Sequence, residues 1–363
     1  MEALRLYLKN YRNIGEMPLD FEKNVNIFIG KNGQGKTNIL EALYYFACQK
    51  SFRGAKNREL IKWDRDYLEI TLDFISGGRD FHAVTRIKKT ASRENFLNGV
   101  KKRRAGDMIG VFNAVIFAPE HLGLIKDGPS VRRSVIDFSL CQTDGEYFAA
   151  LEKYKKVLEQ KNSFLRASDG RADPDMLAVW NEQLSAPASV IIGRRAKFIE
   201  ELSEFANSRQ LDISGGSEKL SAVYVPSIEA DTPGAVYAAM SDKAAAENRA
   251  GVSLSGPHRD DMEILINGRE AKTFASQGQQ RSAVLSLKLS ECDMFYKKRG
   301  EYPVLLLDDI LSELDKSRQS YIVEAIRDRQ IFLTCCDEES IEKIENGRRF
   351  YIESGAAAGI KEG

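Results

Sequence analysis

Eight residues constrain this chain more than any others. Gly30-Lys31-Asn32-Gly33-Gln34-Gly35-Lys36-Thr37 matches G-x-x-x-x-G-K-[ST]. The string follows Val25-Asn26-Ile27-Phe28-Ile29, an apolar run that reads as a buried strand. It precedes Ile39, Leu40, Leu43 and Phe46, spaced to form one face of a helix from about Gly35 to Ala47. Strand, glycine-rich loop and helix in this order call for an α/β fold. The glycines let backbone N–H groups curl around phosphate oxygens, and the helix start adds its positive dipole end. Lys36 is expected to reach the β- and γ-phosphates of a nucleotide, and Thr37 to offer its hydroxyl to Mg2+. A glycine turn that merely joins strand to helix would give no reason for Lys-Thr at the helix start.

A second apolar run, Val304-Leu305-Leu306-Leu307, ends in Asp308-Asp309. It fits a central parallel strand that delivers carboxylates to its carboxyl end, where open α/β sheets bind nucleotides. Asp308 is the expected Mg2+ ligand, directly or through water, and Asp309 the group that orients or deprotonates an attacking water. The plainer alternative makes Asp309 a helix N-cap and Asp308 a solvated strand end. Between the two motifs, Ser276-Gln277-Gly278-Gln279-Gln280-Arg281 opens a long helical stretch, and taken alone Ser276 is an ordinary N-cap.

At 363 residues the chain exceeds the size at which one core keeps growing, so two units, or one large domain with an insertion, are expected. Residues 3–30 read as strands, and so do residues 68–117, with Asn98-Gly99 as a hairpin turn. From Pro119 to about Arg209 the pattern is helical. Phe148, Leu151, Tyr154 and Leu158 form one stripe, and a second helix is expected to start with Asp173 as N-cap and Pro174 at its first position. Pro187 would kink or break that helix. Strand-like Val223-Tyr224-Val225 marks a return to α/β, and Gly355 to Gly363 reads as a loose tail.

With 43% hydrophobic and 9% aromatic residues, the composition excludes a disordered chain. No apolar run approaches the roughly 20 residues that cross a bilayer, and Arg5, Lys9 and Arg12 argue against a signal peptide. Five cysteines without a C-x-x-C pair suggest a reduced, cytoplasmic protein without zinc. Lys+Arg and Asp+Glu both number 53, yet Arg79 to Arg104 holds nine Lys/Arg against two Asp/Glu. That basic stretch, with Lys101-Lys102-Arg103-Arg104 after the hairpin, is the expected contact to a phosphate backbone. Arg132-Arg133, Lys155-Lys156 and Arg194-Arg195 are further candidates, although solvated helix faces explain any one pair better.

The glycine-rich loop, Ser276 to Arg281, the double aspartate and then Leu311-Ser312-Glu313-Leu314-Asp315 stand in the order of the P-loop, signature, Walker B and D-loop of ABC-type ATPases, which this chain resembles. Lys9-Asn10-Tyr11-Arg12-Asn13, Ser51-Phe52-Arg53, Phe117-Ala118-Pro119-Glu120, Gly128 to Arg133 and Ser255 to Asp261 narrow the resemblance to the RecF family of SMC-like ATPases, over the whole chain. Only a stub of an arm fits between Thr37 and Ser276, against hundreds of coiled-coil residues in SMC proteins. The resemblance implies an ABC-type head carrying an inserted helical arm: residues 1–118 and 211–363 as the head, 119–210 as the arm. It implies ATP as the ligand of residues 30–37, Arg12 beside that nucleotide, and Ser276, Gly278 and Gln279 capping the γ-phosphate of a second copy. It further implies an ATP-induced homodimer that clamps gapped or single-strand–duplex junction DNA, hydrolyses ATP slowly, and works with RecR and RecO to load recombinase. Asp309 stands where the wider superfamily has Glu, and no histidine marks a switch at Phe332 to Cys336. Gln49 and Glu120 are both open for the Q-loop role near Mg2+, and His258-Arg259-Asp260-Asp261 reads either as a structural network or as directly functional. Another short-armed SMC-like ATPase and a P-loop small-molecule kinase are the competing readings.

Overall fold

The computed structural model describes residues 1–90, 92–310, 316–325, 328–338, 341, 344 and 346–361. In chain order come β1 (Glu2–Tyr11), β2 (Ile14–Asp20), β3 (Val25–Ile29), α1 (Lys36–Cys48), β4 (Tyr67–Ser76), β5 (Arg79–Lys88), β6 (Arg93–Leu97), β7 (Val100–Lys102) and β8 (Ala114–Phe117). Then follow α2 (Gly123–Lys126), α3 (Pro129–Thr143), α4 (Gly145–Ser168), α5 (Pro174–Ile213), β9 (Leu220–Val225), α6 (Pro233–Asp242), α7 (Ala244–Ala250), β10 (Asp261–Ile266), β11 (Arg269–Glu270) and α8 (Ala271–Phe274). The last elements are α9 (Gln277–Arg299), β12 (Val304–Asp308), α10 (Lys316–Ala325), β13 (Ile331–Cys335), β14 (Arg348–Glu353) and β15 (Ala356–Lys361). Two compact units result. No helix among the described residues is long and apolar enough to cross a membrane.

The first unit comprises Met1–Leu122, Asp212–Gly215 and Ser276–Gly363, and it contains two six-stranded sheets. One is antiparallel in the order β2-β1-β4-β5-β6-β7, and in β1 and β4 buried positions largely alternate with more exposed ones, as a half-buried sheet requires. The other runs β15-β14-β3-β13-β12-β8 and is parallel except for β15. Its inner strands β12 and β13 are buried at every position, which is why the sequence shows unbroken apolar runs there. Phe21 and Phe332, with ring centroids 4.6 Å apart, join Phe28 and Phe350 in an aromatic cluster at this sheet. Ile29 pairs with Cys335 and Asp308 with Thr334, so the carboxyl ends of β3, β13 and β12 align. Of the expected loose tail, Ala356–Lys361 is a strand instead. β15 pairs with β14 from Arg349↔Lys361 to Glu353↔Ala356, and backbone pairing overrides its Ala- and Gly-rich, weakly strand-forming sequence.

The second unit, Gly123–Leu211 with Gly216–Ala275, is larger than the expected arm, because β9, β10 and β11 and their flanking helices cluster with α2 to α5. Their attachment is polar as well as apolar: Ser203 and Asn207 of α5 accept the outward N–H groups of Ala222 and Leu220. α5 begins where expected, with Asp173 accepting from the Asp175 N–H, but Pro187 does not break it and the helix runs for 40 residues. The lost hydrogen bond costs about 3 kcal/mol, which burial of Leu184, Pro187, Ala188 and Ile191 offsets.

Within this unit Arg195 is almost fully buried. It donates to Asp137 (2.8 Å), Asp260 (3.1 Å), the Pro257 carbonyl (2.6 Å) and Tyr147 (3.1 Å). Arg132 grips Asp261 with both arms of its fork at 2.7 and 2.8 Å. Tyr154 and His258 meet at 2.7 Å, and the second ring nitrogen, Nε2, faces the Ser253 carbonyl, which in the neutral ring places the proton on Nε2. Burial holds the His258 pKa down at about 4. His258, Asp260 and Asp261 are thus part of a network centred on buried groups while Arg259 stays exposed, and two of the sequence's candidate DNA cations, Arg132 and Arg195, are consumed in it.

Candidate functional site

The loop after β3 sits where its glycines are required. A Cβ on Gly30 would lie 2.3 Å from the Ile352 carbonyl oxygen of β14. At Gly35, with φ +115°, a Cβ would meet the Asn13 side chain at 2.9 Å. Gly35 also caps α1, with no side-chain cap and no acidic residue in the first turn, so the helix start is left for an anion. Lys36 folds back over the loop, donating to the carbonyls of Gly30 (2.5 Å) and Lys31 (3.1 Å). Residues 30–37 therefore form one continuous cradle, with a cation at its rim.

Asp308 is brought to this cradle from the other motif. The Thr37 hydroxyl donates to Asp308 Oδ1 at 2.9 Å, and the Thr334 hydroxyl to the same oxygen at 2.8 Å. Thr334 Oγ1 also accepts the Asp309 backbone N–H at 2.9 Å. Burial pushes the Asp308 carboxyl up, the two hydroxyls oppose this, and the nearby Glu120 and Asp309 carboxylates push it further up. A hydroxyl and a carboxylate oxygen in contact are hard donors that fit Mg2+ completed by phosphate oxygens and water. They do not make an all-protein metal cage, and no cluster of three His, Cys, Asp or Glu side chains occurs among the described residues. Asp309 takes a left-handed backbone conformation, φ +51°, at the strand end. Its carboxylate lies 4.0 Å from Cys336 Sγ, which in turn is 3.1 Å from Asn32 Oδ1 of the loop. The position searched for a switch histidine thus places a thiol between the two motifs.

Other expected residues fall differently. Arg12 does not extend a free fork: its Nε and Nη2 bind Glu41 at 2.8 and 2.7 Å, and Nη1 donates to the Glu59 carbonyl. Glu41 is fully buried on α1 and also accepts from Tyr11 and Ser51, so Arg12 is anchored to the helix that follows the loop. Of the two Q-loop candidates, Glu120 is near enough to act on Asp308, whereas Gln49 is buried with a side-chain oxygen that meets no donor. Ser276 and Gln279 form a reciprocal cap at the start of α9, N–H to Oε1 at 2.9 Å and N–H to Oγ at 3.3 Å. Gly278 faces Arg318 there. The D-loop candidate, Leu311 to Asp315, lies outside the described residues. Sequence reasoning missed Asn13, Glu41 and Thr334. The last two were visible as lone polar residues within apolar elements, and Asn13 only as the neighbour of Arg12.

The RecF/RecN/SMC N-terminal domain model matches residues 3–357. A protein of Lactobacillus acidophilus described as DNA replication and repair protein RecF is 40% identical, with 98% of each chain covered. Its counterpart in Halalkalibacterium halodurans is 38% identical over 98% of this chain and 99% of that one. The chain belongs to the RecF family. A solved structure of the recombination mediator protein RecF with ATP, from the RecFOR pathway, superposes on 99% of this chain and 97% of that one with a TM-score of 0.91 and 32% identity. An SMC head bound to a ScpA winged-helix domain shares the fold at TM-score 0.59 and 15% identity. The RecF-family fold is therefore the ABC-type α/β head that the resemblance implied.

The basic hairpin of this RecF-family chain is β6–β7, turning through Asn98 and Gly99 at φ +50° and +77°. Lys101 pairs with Glu94 at 2.5 Å, and Lys101 and Arg86 both lie over the Phe96 ring. Arg103 and Arg104 are exposed beyond it.

Proposed function

We propose that this chain is an ATP-dependent DNA-binding protein of recombinational repair and replication restart, working in the cytoplasm. The observation that carries the reading is the Thr37–Asp308–Thr334 arrangement at the aligned strand ends, directly beside the phosphate cradle. Residues 30–35 hold the triphosphate, Lys36 leaves its carbonyl partners for the β- and γ-phosphates, and Thr37 and Asp308 face the Mg2+ that accompanies the nucleotide. That ion supplies charge neutralisation at the transferring phosphoryl group. Asp309 orients the attacking water. One helix start cannot crowd a phosphate that its own loop already cradles, so Ser276, Gly278 and Gln279 act on the nucleotide of a second copy. ATP then joins two heads, and slow hydrolysis parts them. The Arg103–Arg104 hairpin contacts phosphates without reading bases. Closure around gapped or junction DNA, with RecR and RecO as partners in recombinase loading, completes the reading; the name that the 37–40% identical relatives bear, DNA replication and repair protein RecF, supports its repair and replication part.

The test is sedimentation of the wild type and a Ser276→Arg variant with Mg2+ and ATP, with and without gapped duplex DNA. The expected result is a nucleotide-dependent dimer, and salt-sensitive DNA binding by that dimer, for the wild type alone. Monomers throughout, or equal DNA binding without nucleotide, would overturn it.

A further inference from the structure

The phosphate-facing loop is held from outside by residues that do not themselves face the phosphate. The Gln34 carbonyl accepts from Asn13 Nδ2 at 3.1 Å and from the Gly355 N–H at 2.9 Å. Gln34 Oε1 accepts the Ser354 N–H at 2.5 Å. Asn13 is itself fixed: its Oδ1 accepts from Asn38 Nδ2 at 2.8 Å, and its carbonyl from Lys62 Nζ at 2.7 Å. Ser354 and Gly355 form the turn between β14 and β15, and the Ile352 carbonyl just before that turn packs on Gly30. Both ends of the glycine-rich loop therefore rest on a hairpin more than 300 residues away in sequence.

In a planar trans peptide the carbonyl and the following N–H point in opposite directions. Gly35, without a Cβ and at φ +115°, could join Gln34 through either orientation of their shared peptide. Two donors on the Gln34 carbonyl choose one of them. With both lone pairs occupied, the peptide cannot turn over without losing both bonds.

We propose that Asn13 and the Ser354–Gly355 turn are positioning residues for nucleotide binding: they lock the Gln34–Gly35 peptide so that the Gly35 N–H is presented to a phosphate oxygen before the ligand arrives. The proposal rests on the reading of residues 30–37 as a triphosphate site. A loop without the clasp must be ordered by the ligand itself, which lowers affinity. Asn13 is suited to the task because it donates and accepts at once. An aspartate of the same shape keeps the acceptor facing Asn38 but turns a carboxylate toward the Gln34 carbonyl, so repulsion replaces the bond.

The test measures Mg-ATP dissociation constants and thermal midpoints for Asn13→Ala, Asn13→Asp and Gly355→Ala in the full chain, with Lys36→Ala as reference. A Cβ at Gly355 would come within 2.6 Å of the Asn13 carbonyl and displace the turn. Asn13→Ala and Gly355→Ala should weaken ATP binding by roughly five- to tenfold, as the loss of one or two hydrogen bonds predicts. Asn13→Asp should weaken it more than Asn13→Ala, and added salt should narrow that gap. Wild-type affinity in all three variants, with Lys36→Ala impaired, would overturn the clasp. So would losses that simply follow falling thermal midpoints, because these mark packing alone. Wild-type affinity in Lys36→Ala as well would instead overturn the triphosphate site itself.

Discussion

Two buried aspartates, Asp137 in the second unit and Asp308 in the first, are pushed in opposite directions. Burial alone would raise both. At Asp137 the Arg195 guanidinium and the Lys155 ammonium outweigh burial and hold the carboxyl below its usual range. At Asp308 the described partners are hydroxyls, and the neighbouring charges are carboxylates, so the carboxyl stays raised. The first is a strut, complete without any ligand. At the second no cation is among the causes that set the shift, so an arriving cation would favour its charged form, which is what the proposed Mg2+ role requires.

The comparison breaks most readily at Arg195. Replacing it by Met leaves Asp260 buried without the Arg195 cation and Asp137 with Lys155 alone, and should cost about 3–5 kcal/mol of unfolding free energy. Chemical denaturation reads this directly, and a loss below 1 kcal/mol would show that the network is not the strut described. At Asp308 the expected signs are reversed. Asp308→Asn should leave stability unchanged or slightly raised, while Mg-dependent ATP hydrolysis falls by roughly two orders of magnitude. A variant that unfolds easily yet still hydrolyses ATP would put the two aspartates in the same class.

A smaller effect sharpens the second unit's side of the contrast. The folded state keeps His258 neutral down to about pH 4, whereas an unfolded histidine takes its proton near 6.5. Between those values the unfolded chain binds more protons, so this contribution is complete above pH 6.5 and is lost as the pH falls toward 4. Thermal midpoints measured across the window should decline, and a His258→Gln variant should lack that part of the decline. Equal slopes in both proteins would place the titration elsewhere. Asp137, held low, adds its own loss only at still lower pH.

Much of the candidate site's geometry was legible in the sequence because its parts are local. A strand, a loop and a helix start lie within residues 25–47, and the apolar run ending in Asp308 announces its own strand end. What escaped was everything that depends on distant partners. Arg132 and Arg195 look like surface cations until Asp261 and Asp260 are set beside them, 129 and 65 residues away. β15 looks like a loose tail until its register with β14 is known. The second unit's claim on residues 216–275 was equally hidden, since strands β9 to β11 read as a resumption of the head. Arg12 was noticed for its position, but its tie to Glu41 was not, because Glu41 on an apolar helix face gave little hint that it would gather three partners.

The place of β3 in its sheet has a consequence for how the protein is made. β3 spans residues 25–29, but its two neighbours are β13, beginning at Ile331, and β14, beginning at Arg348. A chain emerging from the ribosome at about 5–20 residues per second displays the glycine-rich loop almost at once, yet has nothing to pair β3 with until nearly all of it has been synthesised. A chain released before residue 331 has the sequence of the glycine-rich loop but neither of the strands that flank β3.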